Sequence, residues 1–227
     1  MPIRLACLDM AGTTVTDEGV VERSFVEAMV EEAGVDQGEL PGVLDIVRRT
    51  MGQSKIDVFR TLLRDEARAQ AANGAFERAY ERAVSRGEVT AVPGAERVMR
   101  AMRAAGVRVC LLTGFAPSTR EAVIDALGWR LLIDLALSPV DVGRGRPEPD
   151  LVVAASQRLH VPVSEVAVFG DTVSDLLCGT RAGAAVVGGV VRDLDRRDEL
   201  AAAPHTHLVA DIGEILPIVL GGEAAGG

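Results

Sequence analysis

The chain has 227 residues, of which 48% are hydrophobic and only 3% aromatic, and its formal net charge is −9. This length and apolar content allow a sizeable core of aliphatic side chains. The negative charge argues against a nucleic-acid-binding or anionic-membrane-binding protein, since both need a positive surface, and no apolar run reaches the ~18 residues of a membrane span.

The three cysteines predict a reducing environment. Cys7, Cys110 and Cys178 are far apart and form no C-x-x-C pair. An odd number of separated cysteines does not suggest a disulfide framework. The apolar run at the N-terminus is too short for a signal peptide. These features together predict a cytoplasmic protein.

The first part of the chain reads as one strand followed by helices. Residues 3–8 form an apolar strand that ends at Asp9. Helical periodicity then appears over residues 22–33, 54–63 and 76–84, so residues 15–86 are expected to be all-helical. The stripe of Phe25, Met29 and Val30 is expected to pack inside this helical region, and the alternative is a homodimer surface.

Beyond residue 92 the pattern changes to alternating strands and helices. Such alternation predicts an α/β fold with a Rossmann-like parallel sheet covered on both faces. The expected organisation is an α/β core of residues 1–14 and 87–227, interrupted by a helical cap of residues 15–86. The expected strands cover residues 107–112, 131–137, 166–169, 184–187 and 207–209, and the helices 95–105, 117–127, 149–159 and 212–220.

Polar residues follow three of these strands at the carboxyl end, where open parallel sheets collect their chemistry. Asp9 follows the first strand, Thr113 and Gly114 follow another, and Asp171 follows a third within the run GDTVSD. This coincidence favours one shared site more strongly than any single motif does.

Each motif also has an alternative structural explanation. Asp9 could be a nucleophile and metal ligand, or it could stabilise the turn that follows it. Asp171 and Asp175 could bind Mg²⁺ through hard oxygen ligands, or they could favour a helix N-terminus. The pairing of Asp9 with this second acidic motif favours the metal site.

Two further segments could handle phosphate. Thr113 and Gly114 offer a hydroxyl and backbone N–H groups that could cradle a phosphate, or they could be a simple helix cap. Arg146, in the run GRGRPEP, could supply the cation that holds the nucleophile and the phosphoryl oxygens together. Arg144 competes for that role, and a surface-loop arginine is the remaining alternative.

Taken in this order, the four motifs resemble the haloacid dehalogenase (HAD) superfamily over essentially the whole chain. The resemblance implies the HAD fold and a Mg²⁺-dependent hydrolase with Asp9 as the nucleophile. It also implies that Mg²⁺ is bound by Asp9, the Ala11 carbonyl and Asp171, while Asp175 orients metal-bound waters or Arg146. The remaining phosphoryl charge would fall to Arg146 and Thr113.

Further residues resemble the phosphonoacetaldehyde hydrolase (phosphonatase) subfamily. The segment DMAGTTV matches its first motif and has Ala11 where most superfamily phosphatases carry a general acid. Arg146 within GRPEP and the stretch MGQSKID from Met51 also match. The resemblance implies that Lys55 forms a Schiff base with a substrate aldehyde and that Gly12, Met51 and Gly114 contact the substrate. An imine makes P–C cleavage feasible because the carbanion leaves as an enamine.

The chain departs from the phosphonatase pattern at three positions. Val58 stands where the family has a histidine, Phe115 where it has a tyrosine, and the region of Val20 lacks the family's cysteine. In the family these residues serve proton transfer around the imine. The substrate is therefore expected to be phosphonoacetaldehyde or another small organophosphorus compound.

Two other functions compete with P–C hydrolysis. The first is a phosphomonoesterase for small metabolites on the same scaffold, which would act independently of Lys55. The second is a phosphate-binding module without catalysis, which the intact acids Asp9, Asp171 and Asp175 argue against. In each case the partner is a small phosphonate or phosphate, and neither a nucleic acid nor a membrane is expected.

Overall fold

A computed structural model describes residues 2–16 and 18–221 of the chain. Its strands are β1 Leu5–Asp9, β2 Val15–Thr16, β3 Thr90–Ala91, β4 Arg108–Leu112, β5 Leu135–Leu137, β6 Val166–Gly170, β7 Val186–Val190 and β8 His207–Val209. Six of them form one sheet in the order β5-β4-β1-β6-β7-β8, and all neighbouring pairs are parallel. The predicted parallel α/β fold is confirmed, and β1 lies near the middle of the sheet.

Ten α-helices surround or precede this sheet within the described residues. They are α1 Val20–Ala33, α2 Leu40–Arg49, α3 Lys55–Leu63, α4 Glu66–Ser85, α5 Ala95–Ala104, α6 Pro117–Ala126, α7 Asp150–Arg158, α8 Val173–Ala182, α9 Arg197–Ala202 and α10 Ile215–Leu220. We call α1–α4 the helical insertion, because they lie between β2 and β3, two short strands that pair antiparallel.

The sheet is buried on both faces, as strand β1 illustrates. Its side chains alternate between two apolar clusters: Leu5 and Cys7 join one, and Ala6 and Leu8 join the other. Successive side chains of a strand point to opposite faces, so both faces of the sheet are covered. All three cysteines are free and buried.

The helical insertion has its own aromatic centre. The ring of Phe25 lies 4.8 Å from that of Phe59 and 4.7 Å from that of Phe76, measured between centroids. Met29 is buried nearby, whereas Val30 is 45% exposed. Two of the three residues in the predicted stripe therefore pack inside the insertion, and a homodimer through this region stays a prediction.

Two helices of the insertion differ from the sequence prediction. Helix α2 was not predicted, because Pro41 and Gly42 resemble a loop; proline is tolerated in the first turn of a helix, where its missing N–H costs nothing. Helix α4 begins well before residue 76. Asp65 caps its start by accepting a hydrogen bond from the Arg68 N–H. The following residues are rich in alanine, which favours a helix but gives no marked apolar stripe from which to predict one.

Some strand predictions were also wrong. The strand expected over residues 131–137 is shorter and consists of β5 alone. Its predicted start is instead part of a 3₁₀ turn, Trp129–Leu131, and Leu131 is exposed. Strand β7 lies later than the expected 184–187. Residues 15–86 are not all-helical, since β2 begins this stretch, and two-residue strands are too short to produce a visible alternation.

Among the described residues, no helix combines the length and the apolar character needed to cross a membrane.

Candidate active site

Strand β1 delivers Asp9 into a tight turn at the carboxyl end of the sheet. The carbonyl of Met10 accepts the N–H groups of Thr13 and Thr14, and the Thr14 hydroxyl donates to the Asp9 carbonyl at 2.8 Å. Gly12 has a φ of +97°, and a Cβ at this position would overlap the Asp171 carboxylate. Only glycine therefore lets this turn approach the acid on the neighbouring strand.

Arg146 joins two buried carboxylates. Its Nη1 donates to Oδ1 of Asp9 and to Oδ1 of Asp175, and all three side chains are at least 95% buried. The competing Arg144 is exposed and pairs with Asp150. The structure thus places Arg146, and not Arg144, beside Asp9.

Asp175 is held by the start of helix α8 in a capping box. Its Oδ2 accepts the Thr172 N–H at 3.1 Å and the Thr172 hydroxyl at 2.5 Å, while its own N–H donates back to the Thr172 side chain. Both oxygens of Asp175 therefore have partners. A side chain held this firmly can fix the orientation of Arg146.

Asp171 completes an acidic group with Asp9 and Asp175. One oxygen from each of the three carboxylates lies within 4.8 Å of the others. Asp171 accepts a hydrogen bond from the Thr13 hydroxyl at 3.1 Å, and Arg196 is 4.0 Å away. Hard oxygen donors in such a cluster suit Mg²⁺, which takes a few carboxylates together with water and phosphate oxygens.

The pKa values of these acids reflect their crowding in the protein without a metal. Burial raises the pKa of Asp9 to about 8, against the opposing charge of Arg146. Burial and the nearby Asp175 raise the pKa of Asp171 to about 6. Three acids face one buried arginine here, so a divalent cation would stabilise their ionised forms.

Strand β4 leads to the segment Thr113-Gly114-Phe115, which meets the helical insertion. The Thr113 hydroxyl accepts the Phe115 N–H at 3.2 Å, and the Gly114 carbonyl accepts the Lys55 N–H at 3.1 Å. A Cβ on Gly114 would overlap the Gln53 carbonyl. The insertion is thus in close backbone contact with the carboxyl end of the sheet.

Lys55 begins helix α3 and is 6% exposed. Its Nζ lies 5.4 Å from the centroid of the Phe115 ring and 5.8 Å from that of Phe25. Lys55 is also the only lysine in the chain, since the other 23 of the 24 basic residues are arginines. An amine can lose its proton and act as a nucleophile, whereas a guanidinium stays charged.

A cavity of about 210 Å³ connects these groups. Nine of the ten residues predicted for the site line it: Asp9, Ala11, Gly12, Met51, Lys55, Thr113, Gly114, Arg146 and Asp171. The tenth, Asp175, lies behind Arg146. Asp9 on the sheet and Lys55 on the insertion therefore line the same space.

Some residues of this region were not predicted from the sequence. Arg196 lines the cavity beside Asp171, but it lies in a run of charged residues typical of a solvated surface. Glu22 also lines the cavity while pairing with Arg48. No local pattern distinguishes either residue from other surface charges, so only the tertiary structure reveals them.

Most of the chain matches one known protein family. The sequence model of the haloacid dehalogenase-like hydrolase family matches residues 3–183, about four-fifths of the chain. The chain belongs to this family. It is therefore a hydrolase, and the resemblance inferred from the four motifs is confirmed.

Similar proteins are named for different activities. A phosphonoacetaldehyde hydrolase of Parabacteroides distasonis is 27% identical over 206 residues, covering 80% of this chain and 74% of that protein. The probable phosphatase IndB of Dickeya dadantii is 23% identical over 216 residues, covering 93% of this chain and 91% of that protein.

Solved structures of other proteins share the fold. A phosphonoacetaldehyde hydrolase-like protein from Oleispira antarctica superposes with a TM-score of 0.78 at 21% identity, covering 96% of this chain and 92% of the other. A predicted phosphoglycolate phosphatase from Haemophilus somnus gives a TM-score of 0.80 at 16% identity, covering 95% and 97%. At such identities the likeness is one of fold alone.

Proposed function

We propose that this HAD hydrolase cleaves a P–C bond in a small organophosphorus substrate that carries a carbonyl group, phosphonoacetaldehyde or a close relative. One observation carries the proposal. The only lysine of the chain, Lys55, is buried against two aromatic rings and lines the cavity that Asp9 also lines. A simple phosphatase has no need of a buried amine at this place.

Asp9 is the proposed nucleophile towards phosphorus. Its attack forms an aspartyl-phosphate, which water then hydrolyses to release phosphate. Arg146 holds Asp9 in place and shares the charge of the phosphoryl oxygens, and the Thr113 hydroxyl supplies a further hydrogen bond. Asp175 keeps Arg146 oriented through its hydrogen bond to Nη1.

The donors present fit Mg²⁺. Asp9, Asp171 and the Ala11 carbonyl would hold the ion, with Asp175 close by. When bound, Mg²⁺ would neutralise charge on the phosphoryl oxygens. It would also favour the ionised form of Asp9, whose pKa is raised to about 8 without a cation.

Lys55 supplies the electron sink for the P–C bond. Its amine condenses with the substrate carbonyl and releases water, forming an iminium ion. When Asp9 takes the phosphoryl group, the electron pair of the P–C bond moves into the C–N system and gives an enamine. Protonation and hydrolysis of the enamine release the aldehyde product. No general acid is needed for an alkoxide, so Ala11 is compatible with this chemistry.

We further propose that the helical insertion acts as a cap. Gln53 and Lys55 approach the backbone of Gly114, and Gly52 approaches Thr172 so closely that a Cβ would overlap its hydroxyl. Such contacts would exclude bulk water from the cavity while the substrate is bound.

The first test is release of phosphate from phosphonoacetaldehyde in the presence of Mg²⁺. We expect turnover by the parent protein and none by Lys55→Arg, which keeps the positive charge but cannot form an imine. The control is Arg60→Lys, an exposed residue of the same helix that pairs with Asp57 and Glu66, which should leave turnover unchanged.

A different result would favour the phosphomonoesterase. If the parent does not release phosphate from the phosphonate, but hydrolyses a small phosphate ester equally well with and without Lys55, then P–C cleavage is refuted and the phosphatase function remains. The relative IndB is named a probable phosphatase, and this name supports the second candidate function.

A further inference from the structure

A second buried ionisable group lies close to Lys55. Glu77, on helix α4 of the insertion, is 7% exposed. Its Oε1 accepts the backbone N–H of Ala116 at 3.0 Å, directly after Phe115, whose ring is 5.4 Å from the Lys55 Nζ. The charge of Lys55 is also among those that act on the Glu77 carboxyl. The carboxyl and the amine therefore flank the same short segment.

The other carboxyl oxygen of Glu77, Oε2, is buried and lacks a hydrogen-bond partner within the described part of the chain. A buried carboxylate oxygen without a partner is costly, so such an atom is informative. Burial raises the pKa of Glu77, against the nearby Thr119 hydroxyl, the hydrogen bond from the Ala116 N–H and the charge of Lys55. A carboxyl in this situation can take up a proton more readily than one in water.

The neighbouring side chains do not offer this chemistry. Val58, one helical turn after Lys55, is apolar and buried, and Phe115 has no hydroxyl. Glu22 lines the cavity, but its hydrogen bond with Arg48 lowers its pKa, which makes it a poorer proton acceptor. Glu77, whose pKa is raised, is therefore the better proton acceptor of the two acids.

We infer that Glu77 is the proton acceptor and donor for Lys55 during imine formation, directly or through one water molecule. The inference rests on the proposed function, since it concerns the amine of that same site. It assigns a role in proton transfer to a residue outside the four motifs.

The proton balance of this step closes without another reactant. The Glu77 carboxylate takes a proton from the Lys55 ammonium, and the free amine forms a C–N bond with the carbonyl carbon. The carbonyl oxygen receives one proton from the attacking nitrogen and one from the Glu77 carboxyl. It leaves as water, the nitrogen keeps one proton as an iminium ion, and Glu77 is again ionised.

The test is reductive trapping of the imine. The protein is incubated with phosphonoacetaldehyde and sodium cyanoborohydride, with EDTA present to stop phosphoryl transfer, and the alkylation of Lys55 is followed by mass spectrometry. Because Lys55 is the only lysine, the N-terminus is the only other primary amine to distinguish. For Glu77→Gln we expect trapping to slow by about 100-fold, the usual scale of general acid–base catalysis.

The matched control is Glu81→Gln. Glu81 lies one turn further along α4, and it accepts the Thr119 hydroxyl at 3.0 Å, so the same change removes charge at the same α4–α6 contact. We expect it to trap like the parent. Glu77→Asp should retain more activity than Glu77→Gln, since it keeps a carboxyl although its side chain is shorter, and thermal unfolding checks that each variant is folded.

The outcomes separate the two claims. Equal trapping in the parent and in Glu77→Gln, or better trapping in Gln than in Asp, overturns the role of Glu77 and leaves the proposed function standing. Absence of trapping in the parent overturns imine chemistry itself, and with it the role of Glu77.

Discussion

At the scale of single residues, Ala11 is where the site differs most from a phosphatase. It lies two positions after Asp9 and lines the cavity, but its methyl group can neither donate nor accept a proton. P–C cleavage through an enamine does not need such a group, whereas expulsion of an alkoxide does. The identity of this one side chain therefore bears directly on the reaction.

We expect Ala11→Asp to gain phosphomonoesterase activity. The new carboxylic acid could protonate a departing alkoxide, so hydrolysis of an alkyl phosphate should rise by about tenfold or more. Hydrolysis of 4-nitrophenyl phosphate, whose leaving group needs no acid, should change little. Steady-state kinetics on both esters make the comparison, with Ala11→Asn as a control of similar size. An equal gain on both esters, or in both variants, would contradict the explanation.

Single residues also show how far the sequence alone could predict the site. Asp9, Thr113 and Asp171 were predictable because parallel strands bring their carboxyl ends to one edge of the sheet. Arg146 was preferred to Arg144 only through its match to the phosphonatase motif, and the structure shows that Arg146 is the one buried beside Asp9. Glu77 resembles every other acid on an Ala-, Glu- and Arg-rich helix, so only its packing distinguishes it.

At the scale of elements, the contact between the insertion and β4 depends on a glycine. Gly114 does not have a positive φ, so its need for glycine arises from the proximity of the Gln53 carbonyl and not from its backbone conformation. A methyl group at this position would push the start of α3 away from the sheet. Lys55 would move with it, because its N–H is bonded to the Gly114 carbonyl.

We expect Gly114→Ala to lower kcat/KM for the phosphonate by about 100-fold, since a displacement of about 1 Å at a reacting group can cost that much. The control is Gly42→Ala in helix α2, where an added Cβ meets nothing within 4 Å. That change should leave kinetics unaffected and raise the unfolding temperature slightly, because alanine favours helix over glycine. Unchanged kinetics in Gly114→Ala would show that this contact does not position Lys55.

A helix or strand could be predicted only where the sequence carries a clear local pattern for it. Helix α6 and strand β8 lie close to their expected bounds, because a proline at the start or an apolar run marks them. Helix α2 was missed since Pro41 and Gly42 look like loop residues, and the short ribbon of β2 and β3 is stabilised only by pairing across the two ends of the insertion. Such elements depend on tertiary contacts that no local pattern contains.

At the scale of the whole molecule, the crowded acids of the site destabilise the folded protein when no metal is bound. Asp9 is buried and Asp171 is half-buried close to Asp175, and their pKa values are raised from 3.8 to about 8 and about 6. In the unfolded chain both acids lose their protons near pH 4, whereas in the folded protein they keep them to higher pH. The folded state therefore binds more protons across this window, and its stability falls as the pH rises through it.

We expect the unfolding temperature of the protein in EDTA to fall between pH 5 and pH 8. Exposed acids with lowered pKa values, such as Glu66, titrate below this window and do not cause the fall. Asp9→Asn cannot ionise, so its profile should be flatter, and at pH 8 it should unfold about 3 °C or more above the parent. Added Mg²⁺ should stabilise the parent more at pH 8 than at pH 5, because the cation binds ionised carboxylates, and should stabilise Asp9→Asn less. Thermal unfolding followed by circular dichroism measures all of these. A flat profile for the parent in EDTA, or an equal slope in Asp9→Asn, would mean that the carboxylates are not the source of the destabilisation and that their burial does not prepare the site for a cation.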